Sequence, residues 1–234
     1  MNYHAAPSGR CWTYAHVLLI CPPLANELNN SCRVLVNLAR QLARQSVRVC
    51  RMDYHGTGDS PLDLYECRAE FFGRAVQDVA AVLRSDLPAA RLTLLGVRAG
   101  GLFASWYAAS SADVSALILV DAIERPASYV KELRCSAVVA GLADGYQRPR
   151  AAGGIDAFGF SFSEDLVEGL GRPVTGVPPG LPRFSLASAT AAGCSRRRFW
   201  SRNDVYRLTQ LEDQVLDCLQ RIDATHAKAS HDHL

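Results

Sequence analysis

The sequence predicts an α/β fold: a mostly parallel central sheet with helices on both faces and a short or missing last strand. Three observations predict it. Short apolar runs alternate with amphipathic stretches of crossover length through the first half of the chain, the pattern of parallel strands joined by helices. The apolar runs break at loops rich in Gly, Pro and Asp. And 234 residues, 49% of them hydrophobic, are enough to cover such a sheet on both sides. One domain is expected over residues 1–222, followed by a polar, disordered tail at 223–234 whose removal shifts the melting temperature by no more than about a degree.

The elements follow in order. HVLLICPP (His16–Pro23) is an apolar run stopped by two prolines, a buried strand. NNSCRVLVNLARQLARQ (Asn29–Gln45) places Val34, Leu35, Leu38 and Leu42 on one helical face, with Asn30 or Ser31 able to cap it. VRVCRMDY (Val47–Tyr54) is a second strand, stopped by HGTGDSP. RAEFFGRAVQDVAAVLRSDL (Arg68–Leu87) is a second helix. Then come a strand at Leu92–Leu95, a turn at Gly96–Gly101, a helix at Leu102–Ala109 and a strand at Ser115–Ala122. Beyond residue 127 a helix over 127–143, a short strand and helix over 155–170, a Pro/Gly-rich linker (Arg172–Pro182), a strand at 183–189 and a long amphipathic helix from Asn203 complete the chain.

Composition narrows the function. Net charge is +2, which calls for neither nucleic acid nor an anionic membrane. The one basic cluster, Arg196-Arg197-Arg198, reads as a solvated turn. The eight cysteines show no C-x-x-C pair, so neither a zinc site nor a disulfide framework is expected. G-x-G in HGTG opens no helix, so no dinucleotide cofactor is implied. The amino-terminal stretch lacks a signal-peptide core, and no run approaches the roughly 20 apolar residues of a membrane helix. A cytoplasmic protein, without metal or cofactor, is expected.

In parallel sheets ligands sit beyond the carboxyl ends of the strands, here the loops Pro22–Asn30, His55–Asp63, Gly96–Gly101 and Asp121–Ala127. The third is the most telling. RLTLLGVRAGG has the outline of a nucleophile elbow, G-x-S-x-G, in which a strained strand-to-helix turn lifts a serine into the site. The middle residue is Arg98. An arginine has no acceptor lone pair and a pKa above about 12, so it cannot serve as the nucleophile.

This order of elements, with PPLANELNNSCR, MDYHGTGDS and GVRAGG at the loops, resembles an α/β-hydrolase. It is similar to the exosortase- or exopolysaccharide-associated branch of serine aminopeptidase-like hydrolases, in which arginine stands in the elbow serine's place. FGFSFSEDLVEGL and the pair Phe199-Trp200 also resemble that branch. The resemblance implies a link to surface-polysaccharide or acyl-ester metabolism and a small acyl or carbohydrate ligand. It supplies no identifiable acid and histidine after the last two strands.

Candidate residues divide between two functions. As a ligand site, Arg98 with the flanking Val97 and Ala99 lies at a helix N-terminus that favours anions, and Glu27 and Asn26 occupy the loop across from it. As a strut, Arg98 pairs with Asp53, Asp59, Glu27 or Asp121. For catalysis the candidates are Asp121, at the end of LILV, as triad acid, and His55 or His226 as base. Ser60, Ser105 and Cys21 are the nearby hydroxyls and thiol, none on an elbow. One reading is therefore a hydrolase-like enzyme without the ordinary nucleophile. The other is a non-catalytic protein binding an anionic ligand or a partner through Arg98.

Overall fold

The computed structural model describes residues 2–4, 16–144, 154–187 and 209–231. The arginine cluster at 196–198, the pair Phe199-Trp200, Cys11, Cys194 and the expected helix start at Asn203 lie outside the described residues. Strand β1 (Asn2–His4) is followed by β2 (His16–Cys21), α1 (Ala25–Arg44), β3 (Arg48–Arg51), α2 (Ala69–Asp86), β4 (Arg91–Val97), α3 (Ala99–Ser110), β5 (Val114–Val120) and α4 (Pro126–Asp144). Then come β6 (Ile155–Ala157), β7 (Phe160–Phe162), α5 (Glu164–Leu170), β8 (Arg183–Leu186) and α6 (Thr209–His231). The main sheet runs β1-β3-β2-β4-β5-β8. All its pairs are parallel except β1 with β3.

Alternate residues of a strand face opposite sides of the sheet, and here both sides are covered. Val17, Leu19 and Cys21 of β2 join an apolar cluster with Phe72 of α2, Phe103 of α3 and Leu133 of α4. Leu18 and Ile20 join a second cluster with Leu35 and Leu38 of α1 and Val215 and Leu219 of α6. Burial on both faces explains why these strands read as continuous apolar runs.

Several boundaries differ from the sequence reading, each for a physical reason. Helix α1 starts at Ala25, not Asn29, because the chain reverses straight after the two prolines, with Leu24 extended and Ala25 at φ 53°. Ser31 is therefore inside the helix, and its hydroxyl donates to the Glu27 carbonyl at 2.7 Å instead of capping. Helix α3 starts at Ala99, so Gly100 is helical. A Cβ there would stand 2.1 Å from the Cys21 carbonyl oxygen and 2.4 Å from that of Pro22; close approach of backbone to backbone demands the glycine. The stretch 155–162 is a hairpin rather than one strand, because Phe158 and Gly159 both take positive φ (55° and 84°), as a tight two-residue hairpin turn requires.

The largest departure is at the carboxyl terminus. The tail expected to be disordered from residue 223 continues α6 to His231. Its Asp223 carboxylate lies 2.7 Å from Nε2 of His16, which is fully buried, and the His226 ring stands 6.1 Å from that of His16. The other His16 nitrogen, Nδ1, lies 2.9 Å from the Thr93 hydroxyl. Burial lowers the pKa of His16 below 6.5 against the opposing pull of Asp223, and Arg91 and His226 lower it further. The folded state therefore favours the neutral ring, and the unfolded chain takes up the proton first as pH falls.

Two outcomes follow from this contact. Stability is expected to be full above about pH 6.5 and to decline on acidification below it; melts at several pH values, repeated with His16→Gln, should show a flatter acid limb in the variant. Deleting residues 223–234 should cost about 1–3 kcal/mol, the scale of a lost charged hydrogen bond, visible as a clear drop in Tm at pH 7.

Candidate functional site at the carboxyl ends of the strands

Five non-glycine residues of the described chain have positive φ, and three of them stand just beyond parallel strands: Ala25 (53°) after β2, Arg98 (51°) after β4 and Asp121 (45°) after β5. Such conformations cost about 1–3 kcal/mol each and gather at binding sites and active sites. Arg98 combines φ 51° with ψ −120°, which few side-chain-bearing residues adopt. Its turn is held by backbone bonds from Arg98 N–H to the Val120 carbonyl at 3.1 Å and from Gly101 N–H to the Arg98 carbonyl at 3.0 Å. Beside it opens a crevice of about 640 Å³, lined by Arg98, Asp121, Arg125, Tyr129, Glu132 and Arg183 among others.

The Arg98 side chain is engaged on two sides. Nε donates to Glu27 Oε1 at 3.0 Å, and Nη2 lies 2.9 Å from the same oxygen. Nη2 also donates to Glu132 Oε2 at 3.0 Å. The guanidinium lies over the Tyr129 ring, 5.7 Å from its centre. Arg98 is 11% exposed and Glu27 15%, whereas Glu132 is 64% exposed. The inner pair is thus nearly sealed and the outer one faces water.

The electrostatics follow from that burial. Desolvation opposes the charge on Arg98, but Glu27 and Glu132 together outweigh it and raise its pKa further above an already high value. Desolvation raises the pKa of Glu27 despite Arg98, and the Glu132 charge adds to the rise. Glu27 Oε2 is buried with no hydrogen-bond partner among the described residues. Tyr129 is raised well above its usual value, by burial first and then by Glu27.

Of the four carboxylates the sequence proposed, Glu27 pairs directly with Arg98. Glu132 was missed: it lies 34 positions downstream on a helix whose lie over the crevice no local pattern reveals. Asn26 sits with Glu27 in the first turn of α1, where the helix N-terminus favours the carboxylate. Asp121 lines the crevice and is 8% exposed. Val97 and Ala99 are fully buried, backbone included, and neither lines the crevice.

The remaining candidates are placed elsewhere or occupied. His55 is exposed, its ring edge toward Phe71 at 5.9 Å. His226 lies beside His16, the first residue of β2, at the end of the parallel strands opposite Arg98; the structure does not bring it to the crevice. Ser105 is 2% exposed and donates to the Gly101 carbonyl at 2.7 Å inside α3. The Ser60 hydroxyl accepts from Gly56 N–H at 2.9 Å and Thr57 closes the same loop on Tyr54, which makes HGTGDS a braced turn. Cys21 is fully buried and burial pushes its thiol far up. No helix among the described residues is long and apolar enough to cross a membrane.

Residues 24–147 match the serine aminopeptidase, S33, family, and the chain belongs to that family of α/β-hydrolases. No curated protein matches it in sequence. Among solved structures it is similar to the metagenome-derived lipolytic enzymes LipS and LipT, at 13% identity and TM-score 0.56 over 94% of this chain and 96% of that one. It is similar also to an α/β serine hydrolase without a lid from Xanthomonas campestris, at 14% identity and TM-score 0.52 over 94% of this chain and 87% of that one. Against Est1E from Butyrivibrio proteoclasticus it has 15% identity and TM-score 0.49, covering 72% of this chain and 66% of that one. At these identities the likeness is one of fold.

The two pairs of Arg98 differ in exposure, and so should their removal. Arg98→Ala leaves Glu27 buried without its partner and is expected to cost about 3–5 kcal/mol of stability. Glu132→Gln removes a mostly exposed pair and should cost no more than about 1 kcal/mol. Chemical denaturation of both variants checks this; equal small losses would mean that the inner pair is not a strut.

Proposed function

We propose that the chain is a non-catalytic member of its family, a ligand-binding protein on a hydrolase scaffold. One observation supports this above the others. The strained turn after β4, the place where such hydrolases carry the nucleophile, holds Arg98, whose guanidinium is already taken up by Glu27 and Glu132. A hydroxyl without a base beside it is unreactive, and Ser60, Ser105 and Cys21 are committed to loop, helix and core.

The crevice then binds rather than cleaves. With both glutamates ionised, the Arg98 cluster carries one more negative than positive charge, while Arg125 and Arg183 line the crevice around it. A polar ligand of little net charge suits this mixture, and the sequence resemblance favours an acylated carbohydrate of surface-polysaccharide metabolism. The exposure of Glu132 favours a second reading, in which a ligand carboxylate displaces Glu132 and takes Arg98 Nη2 for itself. Glu132→Gln should then tighten binding of a carboxylate, and under the first reading it should not.

Treatment with a fluorophosphonate probe is expected to leave the protein unlabelled, and Arg98→Ser is expected to hydrolyse no small ester, since neither His16, His55 nor His226 is placed at the crevice to activate the restored hydroxyl. Labelling abolished by a single Ser→Ala change would falsify the non-catalytic reading. Turnover by Arg98→Ser would reveal a base in the crevice.

A further inference from the structure

We propose a second ligand site, a slot on the outer side of α2 and α3 that takes a small ring-bearing carboxylate. It shares no lining residue with the crevice and encloses about 390 Å³, within the usual range for small-molecule pockets. Glu70, Gly73, Arg74 and Gln77, spaced along one face of α2, form one side, and Trp106 of α3 contributes another. The segment leaving α5 borders the slot. Its Arg172 pairs with Glu70 on α2, and a Cβ at its Gly176 would meet Ala109 on α3 at 3.7 Å.

Gly73 is the residue that points to an occupant. Glycine within a helix is less favourable than alanine, and a crowding neighbour usually explains it, as Ala69 does at Gly169, where a Cβ would stand 2.6 Å away. At Gly73 nothing lies within 4 Å of where a Cβ would stand. Packing does not ask for glycine there. The missing methyl leaves room in the floor of the slot.

The walls select the chemistry. Trp106, partly exposed, offers an indole against which a ring can pack. Glu70 is paired with Arg172, whereas Arg74 has no ion pair or hydrogen bond with any other described residue. The slot therefore carries one cation in excess. A guanidinium fork matches a carboxylate in geometry as well as charge, and Gln77, one turn along, adds an amide. Two sources share this chemistry, an aryl carboxylic acid and a uronic-acid residue of a saccharide.

The test is a titration of the ¹⁵N-labelled full chain with benzoate, glucuronate, benzyl alcohol and glucose. The Trp106 indole resonance is assigned by its loss in Trp106→Phe. A saturable shift with at least one carboxylate is expected, about tenfold or more tighter than with its neutral analogue, and the tighter carboxylate names the source. Arg74→Gln should abolish the preference for the charged ligand. Gly73→Ala should raise Tm through helix propensity while weakening binding about tenfold, a combination that a bystander surface residue does not produce. No saturable shift with either carboxylate, equal binding of the neutral compounds, or unchanged affinity in both Arg74→Gln and Gly73→Ala overturns the proposal.

Discussion

The ion pair between Arg98 and Glu27 organises the functional end of this molecule. It joins the turn after β4 to the first turn of α1, and through Glu132 it reaches α4, so three segments far apart in sequence meet at one guanidinium. Most of it is shielded from water. A nearly sealed ion pair contributes less net stability than its Coulomb attraction suggests, because both charges are desolvated, but losing either partner is severe. That asymmetry makes the pair a constraint: the geometry around it must be kept, whatever the turn was once used for.

The strain at the turn is consistent with this. Ala25, Arg98 and Asp121 all keep positive φ although none is glycine, and backbone bonds to neighbouring strands hold Arg98 (to Val120) and Asp121 (to Leu186) in place. In a hydrolase that strain presents a nucleophile. Here it presents a charged group to two carboxylates. The fold is that of the family, and a fold and a function are separable.

Much of the fold was legible because the signal was local. Apolar runs such as Leu92–Leu95 and helix faces such as Val34, Leu35 and Leu38 report burial directly. The α1 start was not legible, because it depends on a backbone reversal at Ala25 that no capping side chain announces. The hairpin at 155–162 was hidden by its Phe158-Gly159 turn, where a bulky residue takes a conformation usually left to glycine or asparagine. At the site, Glu27 could be named from its loop, but Glu132 could not, since its contact depends on how α4 lies across the sheet. The continuation of α6 to His231 was not legible for the same reason: polar residues such as Asp223 and His226 read as solvated until a buried His16 is found to face them.

Gly100 sits so close to the Cys21 and Pro22 carbonyls that even a methyl group cannot be added between them. The start of α3 and the end of β2 are consequently locked at backbone contact, with no side-chain layer to compress or slide. Helix α4 meets the same turn through the Arg98–Glu132 pair and is seated in the core by Tyr129 and Leu133, so the turn after β4 is fixed by backbone contact on one side and by a side-chain bridge on the other.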